Sequence, residues 1–252
     1  MRYPGSSIDR AQVMSNFVSW DIDYPGYNPP YYTSKTVLKR PPWADPESTE
    51  GIKFNQLDGN VNRISFHGHY QIIDSRPRNP FGRKGIAGRG RLGKWGPNHA
   101  VDIVVCRWLK NKRIEFVCIE RRDNGRNAFP GGMIDNGETA EQATIREAME
   151  EIFNIPDSAL RDRAHKWLIR NVPKGINIYQ GYVGDSRATD NSWIETSVTA
   201  CLENSDDTID FPIVAGDDAA SAFWTEANSK SKIFGGHKSI LETLCEKLGA
   251  KF

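Results

Sequence analysis

A Gly-rich turn followed at once by a glutamate-rich segment constrains the fold of this chain most: residues 131–154 have the sequence GGMIDNGETAEQATIREAMEEIFN. Thr139 stands three residues before Gln142, which is the pattern of a capping box, so we expect a helix to begin at Thr139. Small and apolar residues follow at Ala140, Ala143, Ala148, Ile152 and Phe153. The segment therefore predicts a helix over residues 139–153 that packs on a β-sheet.

Three acidic residues of that helix, Glu147, Glu150 and Glu151, are spaced i, i+3 and i+4 and therefore share one face. Like charges at these spacings repel each other and lower helix stability unless a positive charge lies among them. Mg²⁺ binds carboxylate oxygens and would neutralise the group, and Arg146 is close enough to orient one carboxylate. A solvated acidic helix face is the alternative interpretation, and the helix alone leaves both open.

The chain from residue 100 onward has the texture of a regular α/β protein. Strands are predicted at DIVVCRW, RIEFVCIERR, NAFPGGMI, GINIYQGYV, WIETSVTACLE and SAFWTE, and an amphipathic helix from His237 to Gly249. Strands outnumber helices, which favours a mixed sheet with a few covering helices over a simple βαβ repeat. Residues 1–75 are rich in Pro, Tyr and Trp, so we predict loops and short strands there, with a strand pair in NRISFHGHYQII.

Residues 75–101 form a basic segment with seven Arg or Lys, six Gly and no acidic residue. Such a segment can wrap an anionic ligand, because amides and guanidinium groups both donate hydrogen bonds. A solvated linker is the alternative. The GxGxxG spacing at Gly88, Gly90 and Gly93 lacks the preceding strand, following helix and later acidic residue of a dinucleotide fingerprint, so we expect no dinucleotide site there.

Composition excludes some partner classes. The net charge of the 252 residues is +1, which singles out neither nucleic acid nor a membrane surface. We expect no nucleic-acid partner, because aromatic residues are not interleaved with the basic ones. No apolar run approaches about 18 residues, so we expect no membrane insertion of this chain. The four cysteines are widely spaced without a CxxC pair, which predicts buried, reduced thiols and no zinc site.

The spacing of residues around the predicted helix resembles the Nudix box, G-x5-E-x7-R-E-U-x-E-E-x-G-U, in which U is an aliphatic residue. The matching residues are Gly132, Glu138, Arg146, Glu147, Ala148, Glu150 and Glu151. Two final positions depart from the box, since Phe153 stands for Gly and Asn154 for an apolar residue. These positions shape the end of the helix, so the departure bears on how the chain leaves the helix and not on metal binding.

The resemblance extends over nearly the whole chain. GRGRLGKWGPNHA, FPGGMIDNGE, GYVGDSRATDNSWIET and AGDDAASAFW are similar to segments of the mitochondrial type of ADP-ribose pyrophosphatase and of the homologous C-terminal domain of ADP-ribose-gated melastatin-type TRP cation channels. The resemblance implies an α/β Nudix fold, a mixed β-sheet sandwiched by helices, in residues 98–252. Residues 1–97 would form an N-terminal accessory domain of short strands and loops.

The resemblance also implies Mg²⁺-dependent hydrolysis of ADP-ribose to AMP and ribose 5-phosphate, with Mn²⁺ as a substitute. It implies a metal site at Gly132, Glu147, Glu150 and Glu151. Catalytic roles are implied for Glu138, Arg146 and Glu150. For the general base, Asp217 and Asp218 in AGDDAASAFW are candidates beside Glu150, and a plain surface turn is an equal alternative for that loop.

Substrate contacts are implied for Asp102, Arg107, Asp185, Arg187 and Phe234. Arg187 would fork onto a phosphate or stack on adenine, and Asp185 would accept from a ribose hydroxyl. The alternative for this pair is a turn with an internal salt bridge. Phe234 stands where the family tends to have Tyr, and Gly236 where Asn is expected, so two polar contacts would be missing.

Two other functions fit the resemblance. In the first, the chain is an ADP-ribose-sensing domain of a larger membrane channel, with or without turnover. Such a domain would be cytoplasmic, whereas a free enzyme would be mitochondrial. The third interpretation is a Nudix hydrolase for another nucleoside diphosphate, such as a sugar nucleotide. The intact carboxylates of the box favour catalysis in each case.

Overall fold

The computed structural model describes residues 1–122, 125–205, 207–216, 219–234 and 236–252. These residues form two compact units. Unit 1 comprises Met1–His99, Asp135–Gly137 and Gly181–Glu195, and unit 2 comprises Ala100–Ile134, Glu138–Gln180 and Thr196–Phe252. The domain boundary expected after residue 97 stays a prediction. Among the described residues, no helix has the length and apolar character that crossing a membrane requires.

Unit 1 consists of short strands joined by long irregular segments. Its elements are β1 (Tyr31–Thr33), α1 (Lys35–Leu38), β2 (Leu57–Asp58), β3 (Val61–Asn62), β4 (Ile72–Ile73), β5 (Arg76–Pro77) and β6 (Ala87–Gly90), with a 3-10 turn at Ser15–Phe17. Strand β1 pairs in parallel with β6, and β2–β3 and β4–β5 are short antiparallel hairpins. The expected accessory region of short strands and loops is confirmed.

The prediction of a strand pair within residues 62–73 is wrong. Strand β3 ends at Asn62 and β4 begins at Ile72, and each pairs with a strand outside that segment. Turn residues decide these pairings, because Gly59, Asp74 and Ser75 have positive φ and lie at the tips of the two hairpins.

Two arginines of the basic segment 75–101 are buried within unit 1. Arg89 is fully buried and donates to the carbonyl oxygens of Asp45 at 2.5 Å and Gly93 at 2.9 Å, and to the Glu47 carboxylate at 2.8 Å. Arg83 donates to three carbonyl oxygens, those of Phe17, Ser19 and Ile22. For these two side chains both expectations, a ligand-wrapping segment and a solvated linker, are wrong. They bind carbonyl groups that an irregular backbone leaves without strand partners.

Seven strands of the described residues form one sheet, most of which lies in unit 2. Its strands are β7 (Gly96–Leu109), β8 (Arg113–Arg121), β9 (Asn127–Ala128), β10 (Gly131–Met133), β11 (Ile176–Val183), β12 (Ser192–Leu202) and β13 (Ala219–Glu226). Its helices are α2 (Ala140–Glu151), α3 (Ser158–Asn171) and α4 (His237–Leu248), with 3-10 turns at Lys110–Lys112 and Val172–Lys174. The strand order is β11-β12-β7-β8-β13, with β10 beside β7 and β9 beside β8. The predicted strands and the terminal helix are confirmed.

Helix α3 was missed by the sequence analysis, although the sequence carries a signal for it. The Asp157 side chain accepts from the Leu160 amide at 2.9 Å, which is a helix N-cap. Ala164, Trp167 and Leu168 then supply a narrow buried face. Charged residues at 161–163, 166 and 170 obscure the apolar period of the helix.

Alternate residues of β7 enter two separate apolar cores. Ile103 and Val105 lie in a core with residues of α2 and α3, whereas Val104 and Cys106 lie in a core with residues of α4. Successive side chains of a strand point to opposite faces, so α2 and α3 cover one face of the sheet and α4 covers the other. This confirms the predicted sheet sandwiched by helices. The cysteines are buried and unpaired, as predicted.

Candidate functional site

Helix α2 begins where the capping box predicts. The Thr139 hydroxyl accepts from the Gln142 amide at 3.2 Å, and the Gln142 side chain accepts from the Thr139 amide at 2.9 Å. The helix ends at Glu151, two residues earlier than predicted. Phe153 follows as a fully buried residue whose ring lies edge-on to Phe211, with centroids 5.2 Å apart. An aromatic core contact therefore occupies the position at which the chain departs from the Nudix box.

Arg146 binds three carboxylates on and before this helix. Its Nε and Nη2 donate to the two oxygens of Glu138, each at 2.9 Å, which makes a bidentate pair. Its Nη1 donates to Glu147 at 2.7 Å and to Glu150 at 3.3 Å, and Nη2 also donates to the Met133 carbonyl at 3.0 Å. Glu138 foremost, and then Glu147, raise the pKa of Arg146. The guanidinium therefore stays charged and offsets the mutual repulsion of the carboxylates.

Glu147 lies against the backbone of β10. A Cβ atom on Gly132 would come within 2.3 Å of Glu147 Oε1, so a side chain at position 132 would force this carboxylate to shift. Burial raises the pKa of Glu147; the charges of Glu150 and Glu138 add to the rise, and Arg146 opposes it. A further cation beside Glu147 would offset the cost of keeping it ionised.

Gly131 lies between two other carboxylates. Its amide donates to Glu151 Oε2 at 2.8 Å, and Glu151 is only 6% exposed. Gly131 faces Asp102 across the strand pair, and a Cβ atom on it would lie 2.1 Å from the Val101 carbonyl oxygen and 3.0 Å from Asp102 Oδ1. The Gly131–Gly132 pair therefore allows both the helix carboxylates and Asp102 to approach the same strand backbone.

Asp102 is held by residues that the sequence analysis did not single out. Thr196 donates its hydroxyl to Asp102 Oδ2 at 2.7 Å, and His237 Nε2 lies 3.9 Å from Oδ1. Burial raises the pKa of Asp102 and lowers the pKa of His237, and each group opposes the shift of the other. His237 Nδ1 accepts from the Phe129 amide at 3.1 Å, so its proton lies on Nε2, toward Asp102. No local signal marks Thr196 or His237, since only folding brings β12 and α4 to Asp102.

Phe234 adjoins this group through His237. The two ring centroids lie 6.1 Å apart, and Arg126 Cζ lies 5.4 Å from the Phe234 centroid. The Phe234 amide donates to the Asn127 carbonyl at 2.7 Å, which fixes the backbone next to the ring. Phe234 is thus brought close to Asp102 although 132 residues separate them in the sequence.

Arg107 lies apart from the group of side chains around Asp102. It lies five positions beyond Asp102 on β7, about 16 Å further along the strand. There its Nε donates to Glu115 at 2.5 Å, and its Cζ lies 4.1 Å from the Trp224 ring centroid. A substrate role for Arg107 would require the guanidinium to share or leave these contacts.

Asp185 and Arg187, both in unit 1, are bound to each other. Arg187 Nε donates to Asp185 Oδ1 and Nη2 to Oδ2, each at 2.9 Å, so the internal salt bridge expected as the alternative is present. The predicted bases Asp217 and Asp218 lie outside the described residues. The sites proposed for these four residues stay predictions.

Two family models match the chain. The NUDIX domain matches residues 98–229, which include the Gly131–Gly132 turn, α2 and the strands that flank them. The chain belongs to the Nudix family. The NUDT9-like N-terminal domain matches residues 13–96 of this Nudix protein.

Three relatives cover almost all of this Nudix chain. The mitochondrial ADP-ribose pyrophosphatase of Rattus norvegicus is 37% identical over 98% of the chain and 77% of its own length. Putative nudix hydrolase 6 of Caenorhabditis elegans is 40% identical over 97% of the chain and 93% of its own length. The transient receptor potential cation channel subfamily M member-like 2 of Nematostella vectensis is 39% identical over 99% of the chain, but the chain spans only 17% of that protein.

The carboxylates of the Nudix helix fit a hard divalent cation by their chemistry. Their donors are oxygen atoms, and the carboxylate of Glu147 lies in a cradle that a side chain at Gly132 would fill. In the part of the chain that the structure describes, no three acidic, His or Cys side chains converge to hold a metal ion. Arg146 instead binds Glu138 and Glu147. The metal site at Gly132, Glu147, Glu150 and Glu151 therefore stays a prediction.

Proposed function

We propose that this Nudix chain is an Mg²⁺-dependent ADP-ribose diphosphatase that yields AMP and ribose 5-phosphate. The observation that carries the proposal is the carboxylate cluster of α2, ordered by Arg146 and lying against Gly131 and Gly132. The rat relative is named an ADP-ribose pyrophosphatase, and its similarity over 98% of the chain supports ADP-ribose as the substrate.

In this proposal Glu147, Glu150 and Glu151, with the main chain of Gly132, hold the cation. When bound, Mg²⁺ offsets the negative charge that develops on the diphosphate and orients the attacking water, and Mn²⁺ would substitute for it. Arg146 and Glu138 keep the carboxylates in place, because the bidentate pair fixes the guanidinium and the guanidinium fixes Glu147.

The attacking water needs a proton acceptor, for which we propose Glu150. Its side chain is 57% exposed, and its 3.3 Å bond to Arg146 is longer than those of Glu138 and Glu147. Glu150 can therefore turn toward a water without breaking the bidentate pair. Asp217 and Asp218, which precede β13 in the sequence, are the alternative bases.

Substrate contacts are proposed for the five residues that the resemblance implies. Asp102 would accept from a ribose hydroxyl, with Thr196 and His237 holding its carboxylate. Phe234 would stack on the ligand, and Arg187 would fork onto a phosphate in exchange for its pair with Asp185. Asp185 would then accept from a ribose hydroxyl, and Arg107 would add a guanidinium.

A second candidate function is ADP-ribose sensing as a domain of a membrane channel. The similarity of the whole chain to 17% of a subfamily M channel favours it. In that case the chain would be cytoplasmic and binding, not turnover, would be its task, whereas a free enzyme would be mitochondrial. Intact helix carboxylates make us rank the enzyme first.

Chromatography of the products after incubation with ADP-ribose and Mg²⁺ tests the proposal. We expect the parent chain to release AMP and the Glu150→Gln/Glu151→Gln variant to lose at least ~100-fold in kcat, the range for removing groups that stabilise developing charge. Glu141→Gln, an exposed glutamate in the first turn of the same helix, is the matched control and should keep full activity.

Three other outcomes would redirect the proposal. No AMP from the parent chain, with ADP-ribose still bound in calorimetry, would leave the sensing function. Faster cleavage of ADP-glucose or NADH than of ADP-ribose would favour a different nucleoside diphosphate. Equal loss of activity in the control and the double variant would show that the effect comes from the helix and not from the cluster.

A further inference from the structure

The first eleven residues of the chain fold back on themselves and join unit 1. The Tyr3 amide donates to the Ile8 carbonyl at 2.8 Å, and the Arg10 amide donates to the Met1 carbonyl at 3.0 Å. The Ala11 amide then donates to the Gly85 carbonyl at 2.8 Å. This turn directs the Tyr3 and Arg10 side chains to the loop of residues 185–188, which contains Asp185 and Arg187.

Arg10 binds carbonyl oxygens on two segments of unit 1. Its Nη2 donates to the Ser186 carbonyl at 2.6 Å, and its Nη1 donates to the Ala188 carbonyl at 3.0 Å and the Lys84 carbonyl at 2.7 Å. A guanidinium has rigid, planar donors, so the three carbonyl groups are held in one fixed arrangement.

Tyr3 binds the carbonyl that lies between those two loop residues. Its hydroxyl donates to the Arg187 carbonyl at 2.7 Å and accepts from the Arg91 amide at 2.8 Å. The side chain is 1% exposed, and burial raises its pKa to about 12, so the hydroxyl stays a donor. Gly90 makes the approach possible, because a Cβ atom there would lie 2.0 Å from the Tyr3 oxygen.

Three successive carbonyl groups, those of Ser186, Arg187 and Ala188, are therefore bound by two side chains of one short segment. Arg10 also lies over the Tyr3 ring, with Cζ 4.9 Å from the centroid, so the two donors support each other. Peptide groups whose carbonyls are bound in this way cannot rotate independently. These bonds favour one arrangement of the backbone between Asp185 and Ala188.

We propose that Arg10 and Tyr3 are positioning residues that hold the loop of residues 185–188 ready for ADP-ribose. The inference rests on the proposed function, in which Asp185 and Arg187 contact the substrate. We call the bonds of Arg10 and Tyr3 to this loop the clamp. Losing the clamp would divide the loop among several conformations, and the apparent affinity for ADP-ribose falls in proportion to the fraction of molecules whose loop can bind it. In the part of the chain that the structure describes, Tyr3 and Arg10 bind no carboxylate of α2, so the chemical step itself should persist.

Steady-state kinetics with ADP-ribose and Mg²⁺ test this division of roles. We expect Arg10→Ala to raise KM about tenfold and to leave kcat within about twofold, because only the competent fraction of the loop changes. Tyr3→Phe, which removes one hydroxyl and keeps the ring, should raise KM about threefold by the same reasoning. Arg10→Lys should recover part of the loss. Arg2→Ala, an exposed arginine of the same segment, is the matched control.

A double-mutant cycle separates positioning from general stability. In an Arg187→Ala background, Arg10→Ala should raise KM less than about twofold, because the side chain that the clamp positions is already gone. Additive effects of the two substitutions would overturn the proposal, and so would an unchanged KM in Arg10→Ala.

Hydrogen exchange of the free protein gives a readout that does not depend on turnover. We expect Arg10→Ala to speed exchange at the amides of residues 185–188 and to leave residues 57–62 as in Arg2→Ala. Should the parent chain neither bind nor cleave ADP-ribose, the proposed function fails, and with it the kinetic role of the clamp. Unchanged exchange at residues 185–188 would refute the clamp itself, even with an active enzyme.

Discussion

Unit 1 and unit 2 bury their chain in different ways. Unit 2 has two large apolar cores, in which residues such as Phe153 and Trp167 fill the space between sheet and helices. The apolar cluster described in unit 1 has three buried residues, Tyr70, Ala188 and Trp193. Unit 1 also buries charged side chains, among them Arg89, which is fully buried.

The difference follows from regular structure. A sheet and its helices satisfy their own backbone groups, so unit 2 can fill its interior with apolar side chains. The irregular segments of unit 1 leave carbonyl groups outside any strand ladder, and arginine side chains supply several donors to each group of carbonyls. Carboxylates complete the network, since Arg63 donates to both oxygens of Asp45, at 2.7 and 2.9 Å. Unit 1 should therefore depend on single polar residues more than unit 2 does.

The largest effect is expected at Arg89. Arg89→Ala leaves the carbonyls of Asp45 and Gly93 buried without this donor, and we expect unit 1 to lose about 3 to 5 kcal/mol of stability. Hydrogen exchange of residues 27–33 and 86–92 measures the change, and peptides from α3 serve as the internal reference. The matched control is Arg91→Ala, an exposed arginine two residues away, for which about 0.5 kcal/mol or less is expected. Equal losses of stability in Arg89→Ala and Arg91→Ala would contradict the dependence of unit 1 on its buried arginine.

A smaller effect is expected in the apolar core of unit 2. Leu168→Ala removes a fully buried side chain of α3 and should cost about 3 kcal/mol, through lost apolar burial and the cavity left behind. Chemical unfolding monitored by hydrogen exchange of α3 and β8 checks this value. Ile169→Ala is the control, because the Ile169 side chain, next to Leu168 in the sequence, is 49% exposed. A strong dependence of the Leu168→Ala cost on pH would contradict an apolar origin.

The smallest effect concerns the pH dependence of unit 1. Burial raises the pKa of Asp190 to about 6, although the Lys84 amide and the Tyr27 hydroxyl bind its carboxylate and oppose the rise. Between the ordinary value of 3.8 and about 6 the folded state keeps a proton that the unfolded state has released. Stability therefore falls as pH rises through this window, by on the order of 2 kcal/mol.

Asp190→Asn should remove that slope. An amide at this position can still accept from Lys84 and is neutral at every pH, so unit 1 of the variant should be about equally stable at both ends of the window. Urea unfolding of parent and variant at about pH 4 and about pH 6.5 gives the comparison. A parent chain whose unfolding free energy changes with pH as that of Asp190→Asn does would show that Asp190 keeps no proton in the folded state.

The features that the sequence by itself determined are local ones. The capping box sets the start of α2, and i, i+3 and i+4 spacing puts Glu147, Glu150 and Glu151 on one face of it. Both depend only on the geometry of a single helix, so a short stretch of residues suffices to predict them. The strands of unit 2 were also predictable from short stretches of residues. Helix α3 could have been predicted from its N-cap at Asp157.

Only the tertiary structure decided which groups the buried polar residues bind. Tyr3 and Arg10 bind carbonyl groups 176 to 184 residues away, and His237 meets Asp102 across two elements that no local pattern connects. An arginine in a basic, Gly-rich segment looks the same in the sequence whether it lies in solvent, binds a ligand or is buried. Its partner depends on which distant backbone groups lack strand or helix bonds, and the packing of the whole chain determines that.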